Sequence, residues 1–158
     1  MPNAPYPHSQ FYIVEISCKS EYALLAMLEL AVRYKQGEPL QIRQIASMQN
    51  IPDRYLEQVL AALRRGGLIR SQRGAKGGYF LAREPWQITL LEVIGCIEGW
   101  DLEGKNGQEN PHTIETALVR DVWQEARQAF QSVLQNQTLQ DLCDRRNTRL
   151  RSDFMYYI

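Results

Sequence analysis

The stretch RRGGLIRSQRGAKGGYFLAR, residues 64–83, is the most informative part of the sequence about the fold. It holds six basic residues and five glycines and no acidic residue. Two short runs with strand-forming side chains, LIRSQ and GYFLA, are joined by the glycine-rich RGAKGG, and glycine permits the positive φ angles that a hairpin turn needs. The stretch therefore predicts a small basic β-hairpin.

Two helices joined by a tight turn are predicted directly before this hairpin. The apolar positions of the first are Leu40, Ile42, Ile45 and Ala46. Residues 47–50 form a predicted polar turn, and Pro52 or Asp53 begins the second helix because both residue types favour helix starts. The predicted buried face of the second helix consists of Tyr55, Leu56, Val59, Leu60 and Leu63. Gly66 and Gly67 end it, and the whole pattern is that of a winged helix-turn-helix.

Further helices are predicted on both sides of this unit. Residues 17–34 carry apolar side chains around most of the helical circumference, which indicates a helix buried on several sides. Thr89 with Glu92 three positions later is a capping box that begins a short helix. Thr138 and Asp141 repeat this signature and begin a second short helix near the C-terminus.

A long helix predicted over residues 113–135 has an apolar band too wide for one neighbour in so small a protein. One ridge of the band consists of Ile114, Leu118, Val122, Ala126, Ala129 and Val133. A second ridge adds Val119, Trp123, Phe130 and Leu134. We expect a second copy of the chain to cover this band and form a homodimer through the helix.

The predicted fold is mainly α with a small β-hairpin. A winged helix-turn-helix DNA-binding domain spans residues 16–99, and a dimerisation helix with a C-terminal helix spans residues 113–158. Residues 1–15 contain three prolines and lack a secretory signal pattern, so we expect a flexible tail. Residues 100–112 form a predicted polar loop, because they are rich in glycine and asparagine.

Membrane insertion and disulfide bonding are both disfavoured. The longest apolar stretch, residues 22–32, is shorter than the roughly 20 residues that a membrane-spanning helix needs. The three cysteines are an odd number and form no CxxC pair. We therefore expect a protein of the reducing cytoplasm without a membrane partner.

The formal net charge of zero conceals a marked asymmetry. Residues 54–83 hold seven basic residues and one acidic residue, whereas residues 84–125 hold two basic and nine acidic residues. The basic part predicts a face that meets a polyanion, and the acidic part is expected to stay away from it. A merely solvated surface is the alternative, so the charge pattern does not decide the function by itself.

The basic hairpin and the helix before it favour DNA binding over nucleotide binding. Nucleotide-binding loops need GxxxxGK with serine or threonine, or GxGxxG, between a strand and a helix, and the glycines of the hairpin match neither. Arg54, Tyr55, Gln58 and Arg65 are predicted to enter a major groove, where arginine pairs with guanine and glutamine with adenine. The wing residues Arg73 and Lys76 are predicted to meet phosphates or a narrow minor groove. A hairpin with only a structural role is the alternative.

Enzyme activity is not expected. The two histidines, His8 and His112, lie in the predicted tail and the predicted loop, so neither sits on a rigid element beside a nucleophile. Acidic pairs such as Asp101 and Glu103 lie in a solvated loop. The sequence shows no catalytic constellation.

Three segments of the chain closely resemble the Rrf2 family of bacterial winged-helix transcription regulators. They are SCKSEYALLAMLELA, IPDRYLEQVLAALRRGGLIRSQRGAKGGYFLA and ITLLEVIGCIEG. The resemblance runs over about residues 16–145, and it is most specific in the helix and hairpin. It implies a homodimer joined through the long helix that binds a pseudo-palindromic operator of double-stranded DNA, and we expect a repressor.

The resemblance also implies roles for individual residues. Arg54, Tyr55, Glu57 and Gln58 would face the operator, and Arg73 would anchor the wing. A carboxylate such as that of Glu57 repels phosphate unless it accepts a hydrogen bond from a cytosine amine, so it would select sequences more than add affinity.

The predicted sensor loop departs from the pattern of the cluster-binding family members. Those members carry three closely spaced cysteines there, whereas DLEGKNGQENPH has none. Glu21, Cys96 and His112 are candidate ligands of an atypical iron-sulfur cluster assembled across a dimer. Packing for Cys96 and a helix-dipole role for Glu21 are the alternatives. We expect no cofactor or metal, and sensing through a small molecule, a single thiol or a protein partner.

Two functional hypotheses follow from these patterns. The leading one is a dimeric, sequence-specific DNA-binding transcription regulator that acts as a repressor. The competing one is a winged-helix interaction module that regulates an enzyme by binding it.

Overall fold

The computed structural model describes residues 15–100 and 112–157, so most of the predicted tail and most of the predicted loop lie outside the described residues. The elements in this part of the chain are α1 (Cys18–Val32), α2 (Ile42–Gln49), α3 (Asp53–Arg65), β1 (Ile69–Gln72), β2 (Gly78–Leu81), α4 (Leu90–Glu98), α5 (Ile114–Gln135) and α6 (Leu139–Tyr156). Short 3-10 turns lie at Tyr34–Gln36 and Pro85–Gln87. The predicted fold class, mainly α with one small hairpin, is confirmed.

Helix α1 is the centre of the core. It packs against α3, α4 and α6, and its residues Ala23, Ala26 and Met27 are fully buried. Because three helices surround it, α1 needs apolar side chains on most of its circumference. The prediction of a helix buried on several sides is therefore confirmed.

The helix-turn-helix consists of α2 and α3. Residues 47–49 belong to α2, so the predicted four-residue turn was too long. Asn50 closes α2 in the left-handed conformation with φ of 52°, which asparagine tolerates, and the chain enters α3 two residues later. The buried face of α3 is as predicted except for Tyr55, which is 49% exposed because its ring lies at the edge of the face.

The hairpin pairs β1 with β2 in antiparallel register, with Ile69 opposite Leu81 and Gln72 opposite Gly78. Strand β2 is also joined to the segment before α2, because Leu40 and Tyr79 exchange two backbone hydrogen bonds of 2.9 and 2.7 Å. Gly78 has φ of 153°, and a Cβ there would collide with the carbonyl oxygen of Leu40. Glycine therefore lets the wing lie directly against the body of the domain.

Helix α6 is longer than the predicted short helix. It begins at the predicted capping box of Thr138 and Asp141 and continues for 18 residues, because neither glycine nor proline interrupts it. Its first turns bury Leu139 and Cys143 in the core, beside α1. The C-terminal helix is thus tied to the winged domain, and the predicted domain division at residue 113 stays a prediction.

Candidate nucleic-acid interface

One side of α3 presents polar side chains to solvent while the other side is buried. The exposed positions include the predicted DNA-contacting residues Arg54, Tyr55, Glu57, Gln58 and Arg65. Leu56, Leu60 and Leu63 are fully buried on the opposite side and fix the rotation of the helix. A well-anchored helix with an exposed polar side is what insertion into a major groove requires.

Tyr55 has a neighbour that holds its ring in place. The ring of Tyr22, from α1, lies 6.3 Å from that of Tyr55 between ring centres, at an interplanar angle of 48°. Aromatic pairs at this distance attract each other. Tyr55 is thus supported from behind while almost half of it remains available to a partner.

The tip of the hairpin carries the two predicted wing cations. Arg73 and Lys76 are both exposed. Gly77 is buried between them and the strand, and a Cβ there would collide with the backbone of the turn. The amide of Gly77 donates to the carbonyl oxygen of Gly74 at 3.0 Å, which closes the turn. The glycines therefore keep the tip compact, and the main chain can approach a neighbouring surface closely.

Side-chain hydrogen bonds connect the hairpin to the helix-turn-helix. Gln41, at the start of α2, donates to the carbonyl oxygen of Ala75 at 3.4 Å. Arg64, near the end of α3, donates to the hydroxyl of Ser71 at 3.4 Å. Helix α3, the predicted recognition helix, is thus held together with α2 and the wing as one surface.

The structure adds basic residues that our site prediction omitted. Arg43 on α2, Arg64 on α3 and Arg70 on β1 are all exposed. The basic run from residue 54 to residue 83 already contained a signal for Arg64 and Arg70, whereas Arg43 stands alone in the sequence. Only the packing of α2 against α3 reveals that Arg43 belongs to the helix-turn-helix.

Cys96 lies behind the end of the recognition helix. Its thiol donates to the carbonyl oxygen of Ala62 at 3.4 Å, and a Cβ on Gly66 would collide with its sulfur. Burial raises the pKa of the Cys96 thiol, and the charge of Arg65 opposes that shift only in part. A protonated thiol packed between α3 and α4 supports the packing interpretation of this residue.

The three candidate ligands of an iron-sulfur cluster, Glu21, Cys96 and His112, lie in different surroundings within one chain. Glu21 and His112 are exposed, and Cys96 is held between two helices. In residues 15–100 and 112–157, no group of three or more histidine, cysteine or acidic side chains is arranged to hold a metal. The residues of one chain therefore do not fit such a site. A cluster held by Glu21, Cys96 and His112 across a dimer was the alternative to the expected absence of a cofactor, and the residues of one chain do not test it.

A carboxylate joins the start of α1 to the end of α4. Glu98 accepts hydrogen bonds from the hydroxyls of Ser17 and Ser20, the latter at 2.7 Å. These two bonds, and to a smaller extent the charge of Lys19, hold the pKa of Glu98 below its ordinary value. The connection fixes α4, and through it Cys96, behind the recognition helix.

The helix-turn-helix, the attached hairpin and their exposed basic side chains together define a winged helix-turn-helix protein. The family profile described as Rrf2, iron-dependent transcriptional regulator, matches residues 16–145. The chain belongs to the Rrf2 family and is a DNA-binding transcription regulator. Among the described helices, none combines the length and the apolar character that a bilayer crossing requires.

Similar proteins agree with this assignment. The chain is 36% identical over 145 residues to the HTH-type transcriptional regulator CymR of Bacillus subtilis (strain 168), across 92% of this chain and 100% of that protein. The solved structure of CymR, the global cysteine regulator of B. subtilis, superposes with a TM-score of 0.71 at 37% identity, covering 84% of this chain and 98% of that one. IscR of T. potens superposes with a TM-score of 0.67 at 33% identity, covering 85% and 89%.

Proposed function

We propose that the protein is a homodimeric repressor that binds a pseudo-palindromic operator with two copies of α3 and two wings. The observation that carries this proposal is the state of α5. This helix of 22 residues has no fully buried residue within one chain. Its exposed apolar residues include Ile114 (77%), Val119 (71%), Val122 (67%) and Val133 (64%).

The two sides of α5 are used in opposite ways. The half-buried positions that face the rest of the chain are Thr116, Ala117, Gln124, Gln131 and Leu134. Leu134 is the one large residue of the apolar band among them, and the other large apolar side chains of the band are exposed to solvent, including Phe130, whose ring also contacts that of Trp100. A contiguous exposed band of this kind marks an interface, and a symmetric dimer covers the same band on both copies.

A two-fold dimer would place its two α3 helices, each with its wing, at two half-sites about one helical turn of DNA apart. In each half-site, Arg54 and Gln58 reach base edges, where arginine favours guanine and glutamine favours adenine. Arg65, Arg73 and Lys76 neutralise phosphates. Glu57 accepts from a cytosine amine and discourages other bases.

Arg73→Ala tests the wing assignment. We expect this substitution to weaken operator binding and to lower the slope of log K against log salt by about one phosphate contact per subunit. Fluorescence anisotropy with an operator selected from random duplexes measures both quantities. Arg151→Ala, which removes an exposed arginine from α6, is the control and should bind like the unmodified protein. Equal affinity and slope for Arg73→Ala and the unmodified protein would contradict the wing assignment.

We infer repression from the length of DNA that such a dimer would cover. We infer a cytoplasmic location from the family's role in transcription. Two recognition helices and two wings would cover consecutive turns of duplex, which excludes other proteins from the same DNA. A reporter driven by the selected operator should be silenced when the protein is expressed, and Arg73→Ala should relieve the silencing. Activation of the reporter would contradict repression without affecting the DNA-binding proposal.

A further inference from the structure

A cavity of about 400 Å³ lies between the end of α1, the segment that leads to α2, and strand β2. This volume falls in the range of small-molecule sites, roughly 300–1,000 Å³. The side chains of Leu30, Leu40 and Leu81 line it and are almost fully buried. The cavity thus combines an apolar floor with an open mouth.

Two tyrosines border this floor. Tyr34 comes from the 3-10 turn after α1, and Tyr79 comes from β2, on the same face of the strand as Leu81 because side chains alternate along a strand. Tyr34 is 36% exposed, so its ring is not consumed by the core. Aromatic rings stack favourably on other aromatic rings, which favours an aromatic ligand over an aliphatic one.

The mouth of the cavity carries one cation and one anion that are not engaged elsewhere. The side chains of Lys35 and Glu38 form no hydrogen bond or salt bridge with the described residues. Arg33 also lines the cavity, but it donates to Glu29 and to the sulfur of Met48. A ligand with both a carboxylate and an ammonium group matches this pair, whereas a singly charged ligand meets one repulsive neighbour.

We propose that this cavity binds an aromatic amino acid as an effector of DNA binding, a regulatory role that rests on the proposed function. The ring would lie on the leucine floor beside Tyr34 and Tyr79. The carboxylate would face Lys35 and the ammonium group Glu38. The site is separate from α3 and from the tip of the wing, so a bound amino acid and DNA do not compete for the same residues.

The cavity lies at the joint that sets the position of the wing. Leu40 and Tyr79 line it, and the same two residues exchange the backbone hydrogen bonds that fasten β2 to the domain. Gly78, next to Tyr79, packs directly against the carbonyl oxygen of Leu40. A ligand that contacts Tyr79 and Leu40 together therefore acts on the strand that carries the wing tip.

Binding to the full chain, without DNA, tests the site itself. L-phenylalanine, L-tyrosine and L-tryptophan are titrated by calorimetry and by saturation-transfer NMR. We expect at least one to bind saturably at one per chain with a Kd below about 1 mM. Phenylacetate and 2-phenylethylamine, which each lack one charge of phenylalanine, should bind at least about tenfold more weakly than the amino acid. Failure of all three amino acids to bind would overturn the proposal.

Variants locate the binding. Tyr34→Ala and Lys35→Glu should each raise the Kd about tenfold or more, since one removes a stacking ring and the other reverses the charge that faces the carboxylate. Both positions are exposed, so folding should survive, as circular dichroism will verify. Lys19→Glu, the same charge reversal at the far end of α1, is the control and should leave the Kd unchanged. Unchanged affinity in both cavity variants would overturn the site.

The coupling is tested separately by operator anisotropy with and without the amino acid that binds. We expect a change in operator affinity of at least about fivefold, which is the lower end of typical allosteric coupling. The change should disappear in Tyr34→Ala. Binding of the amino acid without any effect on operator affinity would overturn the regulatory role and leave the site. Absence of operator binding in all conditions would instead contradict the proposed function.

Discussion

The contact between Gly66 and Cys96 shows how one residue can carry a structural role that resembles a functional one. Cys96 is the kind of residue that a cluster search selects, yet its sulfur fills the space beside a glycine at the end of α3. The sequence could not reveal this, because the contact joins residues thirty positions apart. The sequence shows that residue 96 is a cysteine, but the distance between its sulfur and Gly66 depends on how α3 and α4 pack.

Gly66→Ala tests this packing role. The added methyl group would overlap the sulfur of Cys96, so we expect a loss of about 1–3 kcal/mol in the free energy of unfolding, measured by urea denaturation. In a Cys96→Ala background the space is free, and the same substitution should cost less than half as much. The difference is the coupling energy of a double-mutant cycle. Equal costs in both backgrounds would show that the two residues do not share the space.

The pKa of Glu98 makes the connection between α1 and α4 dependent on pH. Its folded pKa lies below its ordinary value of 4.5, so its stabilisation is complete above that value and is lost as the pH falls through the folded pKa. Ser20→Ala removes one of the two hydrogen bonds. We expect it to lower the stability at pH 7 by at most about 1 kcal/mol, because Glu98 is exposed, and to have a smaller effect in acid.

Ser152→Ala is the matched control for Ser20→Ala. The hydroxyl of Ser152 donates to the neutral carbonyl oxygen of Thr148 at 3.1 Å, so its loss should have the same effect at every pH. Urea denaturation between pH 3 and pH 7 gives both comparisons, and NMR titration of Glu98 gives its pKa directly. A pKa of Glu98 that does not rise in Ser20→Ala would contradict the assignment.

At the scale of elements, local signals in the sequence predicted where helices begin better than where they end. The capping boxes at Thr89 and Thr138 both mark real helix starts, because a cap is a short-range hydrogen-bond pattern. The end of α2 and the length of α6 were predicted wrongly. Residues 47–49, of which two are polar, and the largely polar second half of α6 remain helical because neither glycine nor proline interrupts them and side-chain polarity alone does not end a helix.

The exposed apolar band of helix α5 is the proposed dimer interface. Val122→Asp places a charge in the middle of the exposed apolar band, which would be buried unpaired in a dimer. We expect the protein to become monomeric at micromolar concentration in analytical ultracentrifugation. Gln128→Asp adds the same charge about 120° around the helix axis and should leave the dimer intact. A dimer that survives Val122→Asp unchanged would show that α5 is not the interface.

For the whole molecule, the charge asymmetry read from the sequence becomes a spatial one. Apart from Arg83, which pairs with Glu92, the basic residues from 54 to 83 lie on the exposed side of α3 and on the hairpin, while α5 and the end of α4 carry acidic side chains such as Glu98, Glu115 and Asp121. The sequence predicted the two helices and the hairpin because the winged pattern is local, whereas the contacts of individual residues with DNA stay predictions. The sequence also predicted a dimer from the apolar band of α5, and the exposure of that band supports it. The cavity had no signal in the sequence, because it depends on the packing of β2 on Leu40.

The proposed function requires base-specific operator binding, and replacing Gln58 on α3 probes this property directly. The measurement is the affinity of the unmodified protein and of Gln58→Ala for the selected operator and for each single base-pair variant of it, by anisotropy at several salt concentrations. We predict that Gln58→Ala abolishes discrimination at one base pair per half-site, worth about 1–3 kcal/mol, while the salt slope stays the same. An equal loss of affinity for every sequence, or no preference for the operator by the unmodified protein, would contradict base-specific recognition by α3.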